Sequence, residues 1–109
     1  GVTDVSALAG CAALHTLKLG RCYRMTDISA LGGCASLHTF DLSFCYQIID
    51  VSALAGCAAL HTLTIRGTNV TDVSPLADCA VLHTLDLSDT QVTDLSGLAG
   101  CAALHTLFL

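Results

Sequence analysis

The sequence has few basic side chains, few aromatic rings and no long apolar run. The chain has four Lys and Arg residues and nine acidic residues, all of them Asp, and its net charge is −5 at pH 7. A nucleic-acid backbone requires a basic field, so this balance argues against nucleic acid as the main partner. Apolar residues make up 53% of the chain but occur in stretches of a few residues, far below the roughly 20 that cross a bilayer. We therefore expect periodic burial and no membrane insertion.

The signs of an active site are missing as well. Ser, His, Asp and Cys are present, but each recurs at fixed positions along the chain, whereas a catalytic site needs one unique constellation in a pocket. No glycine-rich phosphate-binding loop occurs. The sequence therefore predicts neither an enzyme nor a cofactor.

The chain does contain a short motif, Leu-x-x-Leu-x-Leu, in five copies, with Phe40 and Ile65 as substitutions. The copies occupy 14–19, 37–42, 60–65, 82–87 and 104–109, and their period is 23, 23, 22 and 22 residues. A repeat of this length predicts a solenoid. The alternating apolar residues at the end of each copy predict one short strand per repeat. Upstream apolar residues spaced by three, as in Val5, Leu8 and Cys11, favour a 3₁₀-like turn.

The repeats predict one domain without a recognisable cap at either end. Their expected bounds are about 2–25, 26–49, 50–70, 71–92 and 93–109. A single repeat gains too little from apolar burial to offset its conformational entropy, so stacking on neighbouring repeats must stabilise it.

Three polar or small positions recur around each turn. Ser6 and its equivalents are expected to accept hydrogen bonds from the amides that open the turn. An Asp two residues earlier is interpreted as a turn cap rather than a calcium ligand, since calcium needs six to eight oxygen atoms. These aspartates are Asp4, Asp27, Asp50, Asp72 and Asp94. Gly10, Gly33, Gly56 and Gly100 are expected to end the turn with a positive φ.

The seven cysteines follow the repeat instead of forming an obvious disulfide framework. They fall at two repeat positions, Cys11, Cys34, Cys57, Cys79 and Cys101 at the first and Cys22 and Cys45 at the second. Cysteines that face a core behave as small apolar residues, and adjacent rungs of a parallel sheet rarely offer bridging geometry. We expect free buried thiols, which favour the cytoplasm over an oxidising compartment.

A histidine lies beside every predicted strand. This histidine ladder consists of His15, His38, His61, His83 and His105. On rungs about 4.8 Å apart the imidazoles could stack or jointly hold a metal ion. A polar ladder is the favoured interpretation, because a structural zinc site needs four converging ligands and the nearby cysteines face the core. Protonation below about pH 6.5 is expected to crowd positive charge along the ladder.

The segment Leu82-x-x-Leu85-x-Leu87-x-x-Thr90-x-Val92 resembles the leucine-rich repeat, and the resemblance covers the whole chain. The 22-residue length and the Thr-Asp-Val-Ser-Pro-Leu segment at 71–76 are similar to the short-repeat class of internalins and of a regulatory subunit of protein phosphatase 1. Cysteines in the loops resemble the cysteine-containing repeats of F-box proteins.

This resemblance implies an α/β-type leucine-rich-repeat solenoid. It would be a right-handed superhelix with a parallel β-sheet on the concave face and 3₁₀ turns and loops on the convex face, and would bind a protein through the concave face. One departure concerns the loop after each strand, where the family usually has Asn. Here the position holds Cys22, Cys45, Thr68 and Thr90, which we expect to be poorer hydrogen-bond partners.

Side chains that alternate with the inward apolar residues project from the concave face and its rim. They include Tyr and Arg, the residue types enriched at interface hot spots. The candidate partner-binding residues are Lys18, Arg21, Tyr23, Asp41, Phe44, Tyr46, Thr64, Arg66, Asp86 and Asp89. The other interpretation of this face is a solvated surface of variable side chains.

The last strand suggests a second function. Leu107, Phe108 and Leu109 would form an open apolar edge, and such an edge is a template for pairing with another chain. The alternative to a foreign protein partner is therefore a self-assembling unit that forms a homo-oligomer through its terminal repeats.

Overall fold

Each repeat forms one rung that consists of a 3₁₀ turn and a three-residue strand in the computed structural model, which describes residues 3–109. The turns span Ser6–Leu8, Ser29–Gly33, Ser52–Gly56, Ser74–Asp78 and Ser96–Leu98. The strands are β1 (Thr16–Lys18), β2 (Thr39–Asp41), β3 (Thr62–Thr64), β4 (Thr84–Asp86) and β5 (Thr106–Phe108). The described residues contain no α-helix, and none of their helical segments is long and apolar enough to cross a membrane.

The five strands form one parallel sheet in the order β1-β2-β3-β4-β5. Equivalent repeat positions pair directly, as in Leu17 with Phe40 and Leu63 with Leu85. Because the register follows the repeat, every repeat position forms a straight row across the sheet. The predicted parallel sheet, with one strand and one 3₁₀ turn per repeat, is confirmed.

The core lies between the strands and the turns. Phe40, Leu63 and Leu85, at the middle of β2, β3 and β4, are at most 1% exposed. Leu17 and Leu107, at the same position of β1 and β5, are only partly buried. Each inner rung is therefore covered by the rungs on both sides of it, as a stacked solenoid requires.

All seven cysteines are free thiols, and six of them are buried. The row that begins at Cys11 links successive rungs, because the thiols of Cys34, Cys57, Cys79 and Cys101 each donate to a carbonyl oxygen of the preceding turn. Cys57 Sγ lies 3.5 Å from Leu31 O, and Cys101 Sγ lies 3.2 Å from Leu76 O. Burial raises the pKa of Cys79 to about 11, so this thiol keeps its proton at neutral pH.

The aspartates cap the turns, as predicted, and the serines do not. Asp27 Oδ1 accepts a hydrogen bond from the Ser29 backbone N–H at 2.7 Å, and the other four aspartates repeat this contact at 2.8 to 3.1 Å. The serine therefore contributes the donor, and its predicted role as acceptor was wrong. This bond lowers the pKa of the Asp27 and Asp50 carboxyl groups, because it stabilises their charged form.

The prediction for the turn glycines was correct only at Gly10, which has a φ of 82°. Gly33, Gly56 and Gly100 do not have a positive φ. At two of them, close contact between successive turns leaves no room for a side chain. A Cβ atom on Gly100 would lie 2.6 Å from the Ala77 carbonyl oxygen, and one on Gly56 would overlap the Gly32 carbonyl oxygen.

Candidate functional site

The chain leaves each of the first four strands through a residue in the left-handed region of backbone space. The four equivalent residues are Arg21, Phe44, Gly67 and Asp89, with φ values of 63°, 61°, 73° and 56°. An L-residue in this conformation costs about 1–2 kcal/mol, which glycine avoids. Three of the four repeats nevertheless carry a side chain there. Strained positions of this kind concentrate at functional sites.

Gly67 provides the space in which the Phe44 ring lies. A Cβ atom on Gly67 would be 2.5 Å from Phe44 Cδ1, so any other residue at this position would push the ring away. Gly67 is itself buried, and Phe44 is partly buried. The glycine of the third repeat thus fixes where the aromatic ring of the second repeat lies.

Two guanidinium groups flank the Phe44 ring. Arg21 Cζ lies 5.1 Å from the ring centroid and Arg66 Cζ lies 5.5 Å from it, both within cation–π range. These arginines come from the first and third repeats, on either side of the phenylalanine in sequence. Arg66 Nε also lies 3.5 Å from Asp89 Oδ2, in a pair whose side chains are 49% and 69% exposed.

Two tyrosines extend the aromatic surface. Tyr23 and Tyr46 stack with their ring centroids 5.2 Å apart, and Tyr46 meets Phe44 edge-on at 6.2 Å. Arg21 Nη1 donates to the Tyr23 hydroxyl at 3.4 Å. Arg21, Tyr23, Phe44, Tyr46 and Arg66 therefore form one continuous cluster, which we term the rim patch.

The tyrosine is the residue by which the first two repeats exceed the later ones. Gln47 Nε2 donates to the Tyr23 carbonyl, and Asn69 Nδ2 donates to the Tyr46 carbonyl, both at 2.8 Å. Gln47 and Asn69 are thus equivalent, and the shorter third and fourth loops both lack a tyrosine before this position. The sequence revealed the longer loops but not which residue was added.

The remaining predicted partner-binding residues lie on the strand face or beside the rim patch. Lys18, Asp41, Thr64 and Asp86 form one row across β1 to β4. Asp41 Oδ1 and Asp86 Oδ1 accept from backbone N–H groups two residues later, at 2.7 and 2.9 Å. These two carboxylates therefore also close the ends of their strands. Asp89 lies at the edge of the rim patch, beside Arg66.

The loops that lack the usual Asn still make side-chain hydrogen bonds. Thr68 is 2% exposed, and its hydroxyl donates to the Ile65 carbonyl oxygen at 2.7 Å. Thr90 makes the same bond to Leu87. Cys45 Sγ lies 3.0 Å from the carbonyl oxygen of Leu19, in the preceding rung. Each of these polar groups thus has a partner at the point where the loop leaves the strand.

The histidine ladder is a stack of parallel rings. Neighbouring centroids are 4.6 to 4.9 Å apart, and the ring planes differ by 4° to 9°. Each Nδ1 lies within hydrogen-bond distance of the next residue's threonine hydroxyl. Parallel rings do not direct their nitrogens at one point, and in residues 3–109 no group of three or more His, Cys, Asp or Glu side chains could hold a metal ion. Burial and the neighbouring rings lower the pKa of His38.

The predicted self-association edge is exposed. Phe108 and Leu109 are 52% and 74% accessible to solvent, while Leu107 is partly buried against the core. In the described residues β5 pairs with β4 alone.

Comparison with known proteins supports one architecture. A family model described as Leucine Rich repeats (2 copies) matches residues 58–100. An internalin (inlF) from Listeria monocytogenes superimposes on 96% of this chain with a TM-score of 0.87 and 31% identity, and the match covers 31% of that chain. For internalin C2 from the same organism the coverage is 96% and 46%, the TM-score 0.81 and the identity 33%.

A plant peptide hormone receptor, RGFR1, solved in complex with RGF2, shares the fold. It superimposes on 97% of this chain and 18% of its own, with a TM-score of 0.76 and 14% identity. A search of curated proteins found no match. This chain spans less than half the length of each of the three structures.

Proposed function

Because this chain is a leucine-rich-repeat solenoid, we propose that it binds a protein partner through the concave strand face, with the rim patch at the centre of the interface. Leucine-rich repeats generally mediate protein–protein interactions, and internalin-like proteins are typically interaction proteins rather than enzymes. The rim patch supplies the side-chain types, Tyr and Arg, that dominate binding energy at protein interfaces.

The observation that carries this proposal is the side chains at the strained position. Gly67 shows that glycine is compatible with this site in the fold. Arg21 and Phe44 occupy the same position with a φ near 60°, at an energetic cost that folding alone does not require. Their side chains meet in the rim patch rather than in the core. A binding role accounts for keeping residues that folding disfavours.

The proposal can be tested with a library of random twelve-residue peptides displayed on phage and selected on the immobilised protein. We expect enrichment of peptides whose binding depends on the rim patch. Phe44→Gly removes the ring from a position that tolerates glycine, and Tyr46→Ser removes half of the tyrosine stack. Each should weaken binding of the enriched peptides about tenfold or more, as hot-spot truncation does.

Val81→Ser is the matched control. Val81 is an exposed apolar residue, 47% accessible against 49% for Tyr46, and lies outside the rim patch. This variant should bind the enriched peptides as the wild type does. Thermal unfolding of each variant checks that the fold is intact. If no peptides are enriched, or if the enriched peptides bind folded Phe44→Gly and Tyr46→Ser normally, the proposal is wrong.

Self-association is the second candidate, and the exposure of Phe108 and Leu109 favours it. An unpaired strand edge of apolar residues can recruit a strand from another copy. Light scattering over a hundredfold range of protein concentration tests this: the molar mass should rise with concentration for the wild type and stay at one chain for Leu109→Asp. A constant monomer mass for both proteins would exclude it.

A further inference from the structure

The distribution of charge indicates which kind of segment the rim patch accepts. The chain is acidic overall, yet its four basic residues, Lys18, Arg21, Arg24 and Arg66, all lie within the first three repeats. Two of them flank one phenylalanine ring in the rim patch. The patch is thus a local cationic surface on an acidic molecule. Such a surface attracts anionic groups and repels basic ones.

The arginine charges of the rim patch are incompletely neutralised within the chain. Arg66 has one carboxylate nearby, that of Asp89, at 3.5 Å and largely in solvent. Arg21 makes its polar side-chain contact with the Tyr23 hydroxyl, and the described residues give it no carboxylate within ion-pair distance. Arg21 therefore keeps its positive charge uncompensated and available to an anionic ligand.

The geometry also favours a particular anion. A guanidinium group is a planar fork that matches a carboxylate through two parallel hydrogen bonds. Arg21 Cζ and Arg66 Cζ both lie over the Phe44 ring. Their polar contacts use one nitrogen each, Nη1 of Arg21 and Nε of Arg66, so the other N–H donors of both groups remain for a ligand. Tyr23 and Tyr46 add apolar contact area beside these donors, so the surface suits a carboxylate next to an apolar side chain.

From these observations we propose that the rim patch binds an acidic peptide segment, in which Asp or Glu side chains pair with Arg21 and Arg66 while a neighbouring apolar side chain packs on the tyrosines. This inference rests on the proposed function, since it specifies the chemistry of the partner at the same surface. A second copy of this chain could also present carboxylates, because its capping aspartates are exposed. That occupant would appear as self-association in light scattering.

The peptide selection described above also tests this inference. Peptides enriched on the wild-type protein should be several-fold richer in Asp and Glu than the input library. A synthetic peptide from the enriched pool should bind about tenfold or more weaker when its Asp and Glu are replaced by Asn and Gln, since charge-assisted hydrogen bonds contribute more than neutral ones. Its affinity should also fall as salt is raised from 50 to 500 mM.

Matched arginine variants separate a specific pairing from net charge. Arg21→Gln should weaken peptide binding strongly. Arg21→Lys should weaken binding less, because lysine keeps the charge but lacks the planar fork of N–H donors. Arg24→Gln makes the same change in net charge outside the rim patch and should leave binding within about twofold of the wild type.

The outcomes distinguish this inference from the proposed function. If the enriched peptides depend on Phe44 and Tyr46 but are neutral or basic, the rim patch binds protein and the acidic-segment inference is wrong. Equal loss of binding in Arg21→Gln and Arg24→Gln would also overturn it. If no enriched peptide depends on Phe44 or Tyr46, both proposals fail together.

Discussion

At the scale of single residues, the site depends on a pair in which one repeat lacks a side chain so that its neighbour can place one. Gly67 has a φ of 73° and lies under the Phe44 ring. Gly10 also has a positive φ, 82°, but a Cβ atom there would meet nothing within 4 Å. Substitution of these two glycines therefore separates the energetic cost of a side chain in the left-handed conformation from the cost of a steric clash.

We expect Gly67→Ala to destabilise the protein more than Gly10→Ala. Gly10→Ala carries only the left-handed backbone cost of about 1–2 kcal/mol. Gly67→Ala carries that cost and must also displace the Phe44 ring, so it should disturb the rim patch as well. Urea unfolding of both variants measures the difference. Equal losses of stability would mean that the ring can move away freely.

Strand alternation and residue type together predicted the members of the rim patch, but not how they are held. Tyr23, Phe44 and Arg66 were predicted from their positions beside the strands, and Tyr and Arg also because these types are enriched at interface hot spots. Their contacts depend on backbone conformation, which composition does not encode. The residue types of Arg21 and Phe44 do not indicate a left-handed backbone conformation. The only signal of it in the sequence was Gly67 at the equivalent position.

At the scale of the element, each 3₁₀ turn begins with a carboxylate cap. Ser and Asp both occur where a cap is needed, and either can accept a backbone hydrogen bond. The aspartate precedes the first turn amide by two residues, so its carboxylate reaches forward and accepts from the serine N–H. The serine hydroxyl oxygen does not accept this hydrogen bond, because the donor is the backbone N–H of the same residue. Sequence spacing alone did not decide between the two.

Removal of one cap should destabilise the fold modestly. Asp50→Ala leaves the Ser52 N–H without its acceptor, and loss of a cap should lower the unfolding midpoint by roughly 2–8 °C. Asp50→Asn keeps the acceptor oxygen and should lose much less. Differential scanning calorimetry at pH 7 compares the three proteins. An Asn variant as unstable as the Ala variant would show that the charge, not the hydrogen bond, matters.

Stability should fall on mild acidification because of His38, in the histidine ladder. The pKa of His38 is lowered in the folded protein, first by burial and then by the neighbouring rings. A lowered pKa means that the unfolded chain binds protons more readily. Stability is therefore fully present above about pH 6.5, the unfolded value, and is lost as the pH falls through the folded pKa.

The unfolding midpoint measured from pH 8 to pH 5 tests this expectation. It should decrease over that range in the wild type and decrease less in His38→Gln, which lacks the imidazole with the lowered pKa. The capping aspartates Asp27, Asp50, Asp72 and Asp94 do not interfere, since their pKa values are lowered from 3.8 and they titrate below this range. A flat midpoint in the wild type would contradict the prediction.

At the scale of the whole molecule, stability is shared between neighbouring rungs. The sequence predicted this architecture well, because the period and the apolar spacing specify a stack in which equivalent positions of neighbouring repeats pair. It did not reveal the contacts between turns that keep Gly56 and Gly100 small. Those contacts arise only when two rungs are stacked, so no single repeat displays them.

Core substitutions should therefore cost more in a middle rung than in the first. Leu63→Ala removes a side chain that is 0% exposed and enclosed on both sides, and should lower the free energy of unfolding by about 2–5 kcal/mol. Leu17→Ala changes the same position in β1, where the side chain is only partly buried, and should cost clearly less. Chemical denaturation measures both. Equal costs would contradict stabilisation by neighbouring rungs.

The extra tyrosine of the first two repeats lies in a loop that leaves the core spacing unchanged. Met25, Ile48 and Val70 remain buried whether or not the loop contains that residue, and Gln47 and Asn69 make the same contact to the preceding loop. The tyrosine of the proposed binding surface is thus added to a rung without a change in the core of that rung. Insertion or deletion of a single codon can therefore add such a side chain to a repeat or remove it. The surface of the chain can diversify in this way while the fold stays the same.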